Sequence, residues 1–250
     1  MGKLENRVSI VTGAGRNIGE AIAHAFADEG ARVAVVDLDG RAAEAVASAI
    51  NQQHPGQALA VTADVAKGDD VRGLMATVAD RWGGIDILVN NVAITDRKTV
   101  LELDEDEWDR VMTVCVKSQF LCSKYAAERM IQAGRGGNII CIASTSGHRG
   151  RKDATAYSAA KAATLNLARS LAIQLAPYGI RVNSVTPNRI GSPVGQAEVP
   201  ANREVSNLVG RRGEPRDIAA ACVFLASDDA GFIAAADLLV DGGALAAGGP

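Results

Sequence analysis

"IVTGAGRNIGEAIAHAF", residues 10–26, carries a β-branched run into an Ala-rich run through a turn built on Gly13, Gly15 and Gly19. The apolar run suits a buried strand, and the segment after the turn has the period of a helix. Glycines at such a junction let the chain turn tightly. The first backbone N–H groups of the helix, with the positive end of its dipole, then favour a pyrophosphate. A purely structural turn would use the same residues, so the rest of the chain has to decide between the two.

The same alternation repeats outward from this stretch. Short apolar runs at 7–12, 32–37, 57–62, 86–90, 138–143, 180–186 and 237–241 read as strands. Helical segments are expected near 18–29, 41–52, 68–81, 105–132, 155–176 and 215–227. Strands without strict polar alternation imply a sheet covered on both faces, and strand–helix–strand alternation makes it parallel. The predicted fold is α/β: a doubly wound parallel sheet of about seven strands flanked by helices on both faces, with ligands at the carboxyl ends of the strands. At 250 residues and 48% hydrophobic content, one domain spanning 1–250 is the default. Residues 187–212, rich in Pro, Gly and polar side chains, break the pattern and are expected to form a substrate-side loop.

A net charge of −3 with dispersed Lys and Arg excludes the basic footprint of a nucleic-acid binder and favours a small-molecule substrate. Cys115, Cys122, Cys141 and Cys222 lack CxxC spacing, which suits buried reduced thiols and gives no metal site. The N-terminus enters a strand at once, and no run is long and apolar enough for a signal peptide or a membrane span. Gly2 lacks the downstream Ser or Thr of a myristoylation signal. A cytoplasmic protein is expected.

In spacing, the turn resembles the TGxxxGxG turn of the short-chain dehydrogenase/reductase family, with Asn17 at the middle glycine. Asn tolerates positive φ, so the turn survives with altered phosphate contacts. Arg16 and Ile18 complete the cofactor-binding turn. Asp37, closing the second strand, is placed to accept hydrogen bonds from the adenosine ribose hydroxyls and to repel a 2′-phosphate, which favours NAD over NADP. Arg16 argues the other way, since a basic residue in this turn accompanies NADP in many family members. Leu38 follows on the same side. Asp64 and Val65 match the family's Asp-Val pair beside the adenine, although Asp also caps helices. "LVNNVAI" resembles the family's NNAG at Asn90 and Asn91, with Val92 and Ala93 in place of Ala and Gly and a slight crowding of the ribose side.

"AYSAAKAATLNLARSLA", residues 156–172, places Tyr157 and Lys161 one helical turn apart on one face. A phenol with a reference pKa of about 10 is a poor base at neutral pH, and a nearby ammonium is expected to lower it. Ser144 ends the fifth strand, at the same sheet edge. Ser144, Tyr157 and Lys161 together resemble the family's catalytic triad, and the resemblance runs from about residue 4 to 243 through "RVNSVTP" and "VDGG". It implies that Tyr157 is the general acid in carbonyl reduction and the base in alcohol oxidation. Lys161 would bind the nicotinamide ribose and feed a proton relay, while Ser144 would polarise the substrate oxygen. Cys115 stands where many members carry a relay Asn; it keeps the backbone carbonyl and loses the amide, so a changed relay is expected. A reactive Cys115 is the alternative to an inert buried one. Pro187, Asn188 and Ile190 fall at further cofactor positions. Asn188 replaces a usual Gly and is expected to supply positive φ, and Ser192 replaces a Thr near the nicotinamide amide. Ala234 and Ala235 replace Thr-Gly and are expected to affect packing more than chemistry.

The substrate pocket is expected between the segment after Ser144, the region of Thr95 and the loop at 190–210. His148, Arg149, Arg151, Lys152, Arg97 and Lys98 lie there in sequence. Either they recognise an anionic substrate, or they point to solvent or a neighbouring subunit, the reading we favour. The family resemblance implies a homotetramer through the fourth and fifth helices and the last strand. Small residues at Ala159, Ala160, Ala163 and Ala168 permit close helix approach there or packing on the sheet. The expected activity is NAD(H)-dependent interconversion of a secondary alcohol and a ketone. The alternatives are an NADPH-dependent ketoreductase, including an oxoacyl thioester reductase, and a dinucleotide-binding regulator without turnover.

Overall fold

Seven short runs, β1 (Val8–Thr12), β2 (Arg32–Asp37), β3 (Ala58–Thr62), β4 (Ile87–Asn90), β5 (Gly137–Ile142), β6 (Ile180–Pro187) and β7 (Asp237–Val240), pair as one parallel sheet in the order β3-β2-β1-β4-β5-β6-β7. The computed structural model describes residues 2–191, 194 and 205–248. Strand order reverses direction between β1 and β4, and in open parallel sheets the crevice at such a reversal, at the carboxyl ends of the strands, is where ligands bind.

The helices are α1 (Asn17–Asp28), α2 (Gly40–Gln53), α3 (Gly68–Trp82), α4 (Glu105–Met112), α5 (Ser118–Ala133), α6 (Thr155–Leu175) and α7 (Pro215–Ala226). They cover both faces because alternate strand residues point to opposite sides. Val11, Val33 and Val35 pack with Ile22 and Phe26 of α1, Ile50 of α2 and Ile218 of α7. Their neighbours Ile10, Ala34 and Val36 pack with Leu74 of α3, Met130 of α5 and Ala168 of α6. The strands are thus apolar on both faces, which is why the sequence lacks strict alternation.

Local chemistry sets most element ends. Asp39 caps α2 by accepting from the N–H groups of Arg41 and Ala42, and Asp104 caps α4 by accepting from Glu107. At α7, Glu214 and Asp217 form a capping box, and Arg211 holds Asp217 with two bonds of 2.7 Å. The single helix expected over 105–132 is interrupted: between α4 and α5 the chain forms a π-helical turn, Thr113–Lys117. One extra residue per turn is accommodated there, with Ser118 Oγ donating to the Val114 carbonyl at 2.6 Å.

Of the irregular stretch 187–212, the described residues are 187–191, 194 and 205–212. Its two ends meet in a parallel bridge between Ile190 and Gly213. Ser192, expected at a cofactor position, lies outside the described residues. All four cysteines are buried and none is in a disulfide. Among the described residues no helix is long and apolar enough to cross a membrane.

Candidate functional site

The glycine turn closes between β1 and α1 with Gly13 at φ +62° and Asn17 at φ +56°. Asn17 therefore adopts the left-handed conformation expected of it in place of glycine. A Cβ on Gly15 would stand 2.7 Å from Ala42 Cβ and 2.9 Å from Asp37 Oδ2, and one on Gly19 would collide with the Gly13 carbonyl. These positions are open because glycine leaves them open. Arg16, at the N-cap of α1, is exposed and provides no side-chain cap, while Ile18 packs against the core. The first N–H groups of α1 thus receive no cap from the N-cap side chain, and Glu20 is the acidic residue of the first turn.

Asp37 lies beside this turn. Its Oδ2 accepts from the Gly15 N–H at 2.9 Å and its Oδ1 from the Asp39 N–H at 3.0 Å. A carboxylate has about four acceptor sites, so capacity remains for two hydroxyl donors. Leu38 next to it is 71% exposed, an apolar surface at the strand end. Asp64 closes a turn by accepting from the Ala66 N–H at 3.1 Å and pairs with Lys67 at 3.4 Å; α3 begins only at Gly68, so Asp64 is not its cap. Val65 is buried in the core, which leaves its backbone for any contact outside it. The Asn91 amide donates to the carbonyls of Thr12 and Gly13 at 3.0 and 3.1 Å, tying the end of β4 to the glycine turn. Val92 Cγ2 lies 3.1 Å from where a Gly13 Cβ would stand, and Ala93 packs on the cluster around Tyr157.

At the carboxyl end of β5, Ser144 is buried and its Oγ accepts from the Ser146 N–H at 3.2 Å. Tyr157, buried in the first turn of α6, lies near enough to the Ser144 side chain for it to act on the phenol. Burial pushes the phenol up to about 12; the Ser144 hydroxyl and the charge of Arg151 pull it down, and Cys115 adds to the rise. Lys161 is 1% exposed, its Nζ donates to the Ile142 carbonyl at 2.7 Å, and it stands 5.6 Å from the centre of the Tyr157 ring. Burial lowers its ammonium. The expected depression of the phenol by Lys161 is therefore corrected for the protein alone: burial raises the phenol, and the charge that pulls it down is that of Arg151. An ammonium has three donors, and among the described residues Ile142 is the acceptor Lys161 finds. A buried ammonium with donors to spare suits the two hydroxyls of a ribose, so the residues present fit a nicotinamide dinucleotide.

Cys115, in the π-helical turn, is fully buried; its Sγ donates to the Ile94 carbonyl at 3.2 Å and accepts from the Ile94 N–H at 3.4 Å. Burial raises its thiol, which disfavours the nucleophilic alternative.

Two expectations change on the β6 side. Asn188 is not among the residues with positive φ; Arg189 takes that conformation, at +50°. Asn188 is instead anchored through its side chain, whose Oδ1 accepts from Thr145 Oγ1 at 3.0 Å. Ala235 has φ +58°, so the Gly-to-Ala replacement loads the backbone and does not merely alter packing. Pro187 ends β6 and Ile190 is 7% exposed beside the Gly213 bridge.

Several nearby basic side chains are engaged within the chain. Lys98 pairs with Asp104 and Glu107, Arg151 with Asp153 at 3.2 Å, and His148 with Asp237 at 2.8 Å. Arg97 donates to the Val194 carbonyl at 3.2 Å, and Lys152 is exposed. Of the four alanines on α6, Ala160 and Ala168 are buried within the chain, while Ala159 and Ala163 are only partly covered.

Two carboxylates escaped the sequence reading. Asp96 is fully buried and accepts from the backbone N–H groups of Ala156 and Tyr157 at 3.2 and 2.8 Å. Asp237 accepts from Ser184 Oγ and Thr186 Oγ1 at 2.8 and 2.7 Å besides its bond to His148. The available hint was for Asp96: Tyr157 follows closely on Ala154, a residue that cannot cap a helix.

A family model described as enoyl-(acyl carrier protein) reductase matches residues 13–244. The chain is 38% identical over 250 residues to meso-2,3-butanediol dehydrogenase of Serratia marcescens, covering 99% of this chain and 98% of that one. It is 40% identical over 241 residues to cis-4-hydroxycyclohexanecarboxylate dehydrogenase of Sinomonas cyclohexanicum, covering 95% and 96%. A crystal structure of a short-chain type dehydrogenase/reductase from Mycobacterium marinum superimposes with a TM-score of 0.88 at 34% identity, over 96% of each chain.

Proposed function

From the premise that the chain belongs to the short-chain dehydrogenase/reductase family, we propose that it is an NAD(H)-dependent enzyme interconverting a secondary alcohol and a ketone. The observation that carries this reading is the burial together of Ser144, Tyr157 and Lys161 at the carboxyl end of β5, with Lys161 Nζ on the Ile142 carbonyl at 2.7 Å and 5.6 Å from the centre of the Tyr157 ring. The relatives named as dehydrogenases of butanediol and of a hydroxycyclohexanecarboxylate support an alcohol as substrate.

Ser144 and Tyr157 form a two-point hydroxyl clamp for one substrate oxygen. In the reducing direction the protonated phenol gives its proton to the developing alkoxide; burial, which keeps the phenol protonated, favours that role. In the oxidising direction the phenol must first lose its proton, and a cation close to its oxygen favours that loss. Lys161 is the buried cation on the same helix, and its spare donors would hold the nicotinamide ribose. A bound nicotinamide supplies or accepts the hydride. Asp37 would take the adenosine ribose hydroxyls and repel a 2′-phosphate beside the turn. Exposed Phe120 on α5 and Leu239 on β7, with the partly covered Ala159 and Ala163 of α6, support assembly as a homotetramer through the α4–α5 segment, α6 and β7.

The test is side-by-side fluorescence titration with NADH and NADPH, followed by a panel of ketones, diketones and their alcohols, on the native protein and on Tyr157→Phe. Preferential NADH binding with turnover lost in Tyr157→Phe is the expected result. Tighter NADPH binding would replace the NAD reading with a ketoreductase one. Binding without turnover across the panel would replace catalysis with a regulatory role.

A further inference from the structure

Tyr157 is the third residue of α6, and the helix end beside it has no local cap. Ala154 occupies the N-cap position with φ +66° and no side-chain oxygen to offer. An N-cap side chain ordinarily accepts from the N–H groups of the second and third helical residues. Here those are Ala156 and Tyr157, both buried where water is a poor substitute.

The missing acceptor comes from a different part of the chain. Asp96, on the segment after β4, places Oδ2 3.2 Å from the Ala156 N–H and Oδ1 2.8 Å from that of Tyr157. Its segment is fastened at two earlier points, by Asn91 to Thr12 and Gly13 and by Ile94 to the Cys115 sulfur. Tyr157, Ala156 and Ala154 pack with Cys115 and Val111 in a small apolar cluster, against which Ala93 and Ile94 lie. The segment after β4, the π-helical turn and the start of α6 therefore form one packed unit, and Asp96 is its polar link to the Tyr157 backbone.

We propose that Asp96 is a positioning residue for Tyr157: it fixes the backbone from which the phenol meets Ser144 and the substrate oxygen. The inference rests on the reading of Tyr157 as the acid/base group. A phenol two residues inside a frayed helix end would lose its aim, and a displacement of about 1 Å at a reacting group costs on the order of 10²-fold in rate.

The experiment compares Asp96→Ala, Asp96→Asn and Tyr157→Phe with the native protein by kcat, dinucleotide Kd and amide hydrogen exchange at Ala156 and Tyr157. Expected is a fall in kcat of roughly 10- to 100-fold in Asp96→Ala, with dinucleotide Kd changed less than about threefold and faster exchange at both amides. Asp96→Asn keeps one acceptor oxygen and should recover part of the rate and part of the protection. Native kcat in Asp96→Ala, or equal losses of kcat and dinucleotide affinity, overturns the proposal. Should Asp96→Ala fail to fold, Asp96→Asn carries the test: a lowered kcat with native dinucleotide binding supports it, and a native kcat overturns it. Full turnover in Tyr157→Phe would remove the role of Tyr157 itself. The exchange data then judge Asp96 alone: faster exchange sustains the cap and unchanged exchange removes it.

Discussion

Asp37 and Gly15 are joined by a 2.9 Å hydrogen bond from the backbone N–H of Gly15 to the Asp37 carboxylate. One side chain at the end of β2 thus both shapes the glycine turn and puts a negative charge beside it. Asp37→Asn separates the two, because the amide oxygen still accepts from Gly15 while the charge is gone. The ratio of NADPH to NADH dissociation constants should move toward NADPH by about tenfold or more, on the order of 1.4 kcal/mol. An unmoved ratio, measured by paired titration, would hand the choice of dinucleotide to Arg16.

Buried thiols and the phenol make stability fall with alkalinity. Burial raises Cys141 to about 11, Cys122 to about 12 and Cys222 further, and Tyr157 to about 12. Above the pH at which the unfolded chain's thiols ionise, about 8.5, the folded state holds more protons than the unfolded one, so unfolding becomes easier as pH rises. Stability lost in this way disappears progressively from about pH 8.5 up through the folded values. Denaturant midpoints taken from pH 8 to 10 should decline, and Cys222→Ala should flatten the slope by up to about 1.4 kcal/mol per pH unit. Parallel slopes for the variant and the native protein would contradict the assignment.

Ala235 is held at φ +58° by a neighbourhood that includes the bond from its N–H to the Val182 carbonyl at 2.9 Å. A left-handed conformation costs a residue with a Cβ about 1–2 kcal/mol, and glycine escapes most of that. Ala235→Gly loses a partly buried methyl and some unfolded-state entropy, which offset part of the gain. A net rise in Tm of about 2 °C is expected by thermal melt. A lower Tm would mean that the methyl's packing outweighs the strain.

Cys115 bonds through its sulfur to both the N–H and the carbonyl of Ile94, in a place without solvent access. Iodoacetamide at pH 8 should leave it unlabelled in the native protein and label it in denaturant, as read by mass spectrometry. Cys115→Ser retains a donor and an acceptor for Ile94 and should retain turnover. Rapid labelling of native Cys115 with loss of activity would revive the nucleophilic reading.

The order of strands and helices was legible because both signals are local. β-branched runs end at Gly, Pro and Asp, and apolar residues recur at helical spacing between them. The candidates Ser144, Tyr157 and Lys161 and the glycine turn stood out equally in the sequence, since the residue types and spacings of each lie within a single strand–turn–helix unit. Less visible was the break in the 105–132 helix. No Gly or Pro marks the π-helical turn, which comes with the packing of Cys115 and Val116 around the Tyr157 cluster.

By itself the sequence determined the alternating α/β architecture, the carboxyl-edge location of the site and the identity of Ser144, Tyr157 and Lys161 as its candidates. Tertiary structure alone decided the environment of those groups. Burial fixes the direction of the Tyr157 and Lys161 shifts, the positive φ falls on Arg189 instead of Asn188, and Asp96 reaches the Tyr157 backbone from 61 positions away. Hydrophobic period and turn chemistry act between near neighbours in the chain, so they can be read along it. Desolvation and hydrogen bonding at a site depend on which segments meet there, and that is known only once the sheet has brought them together.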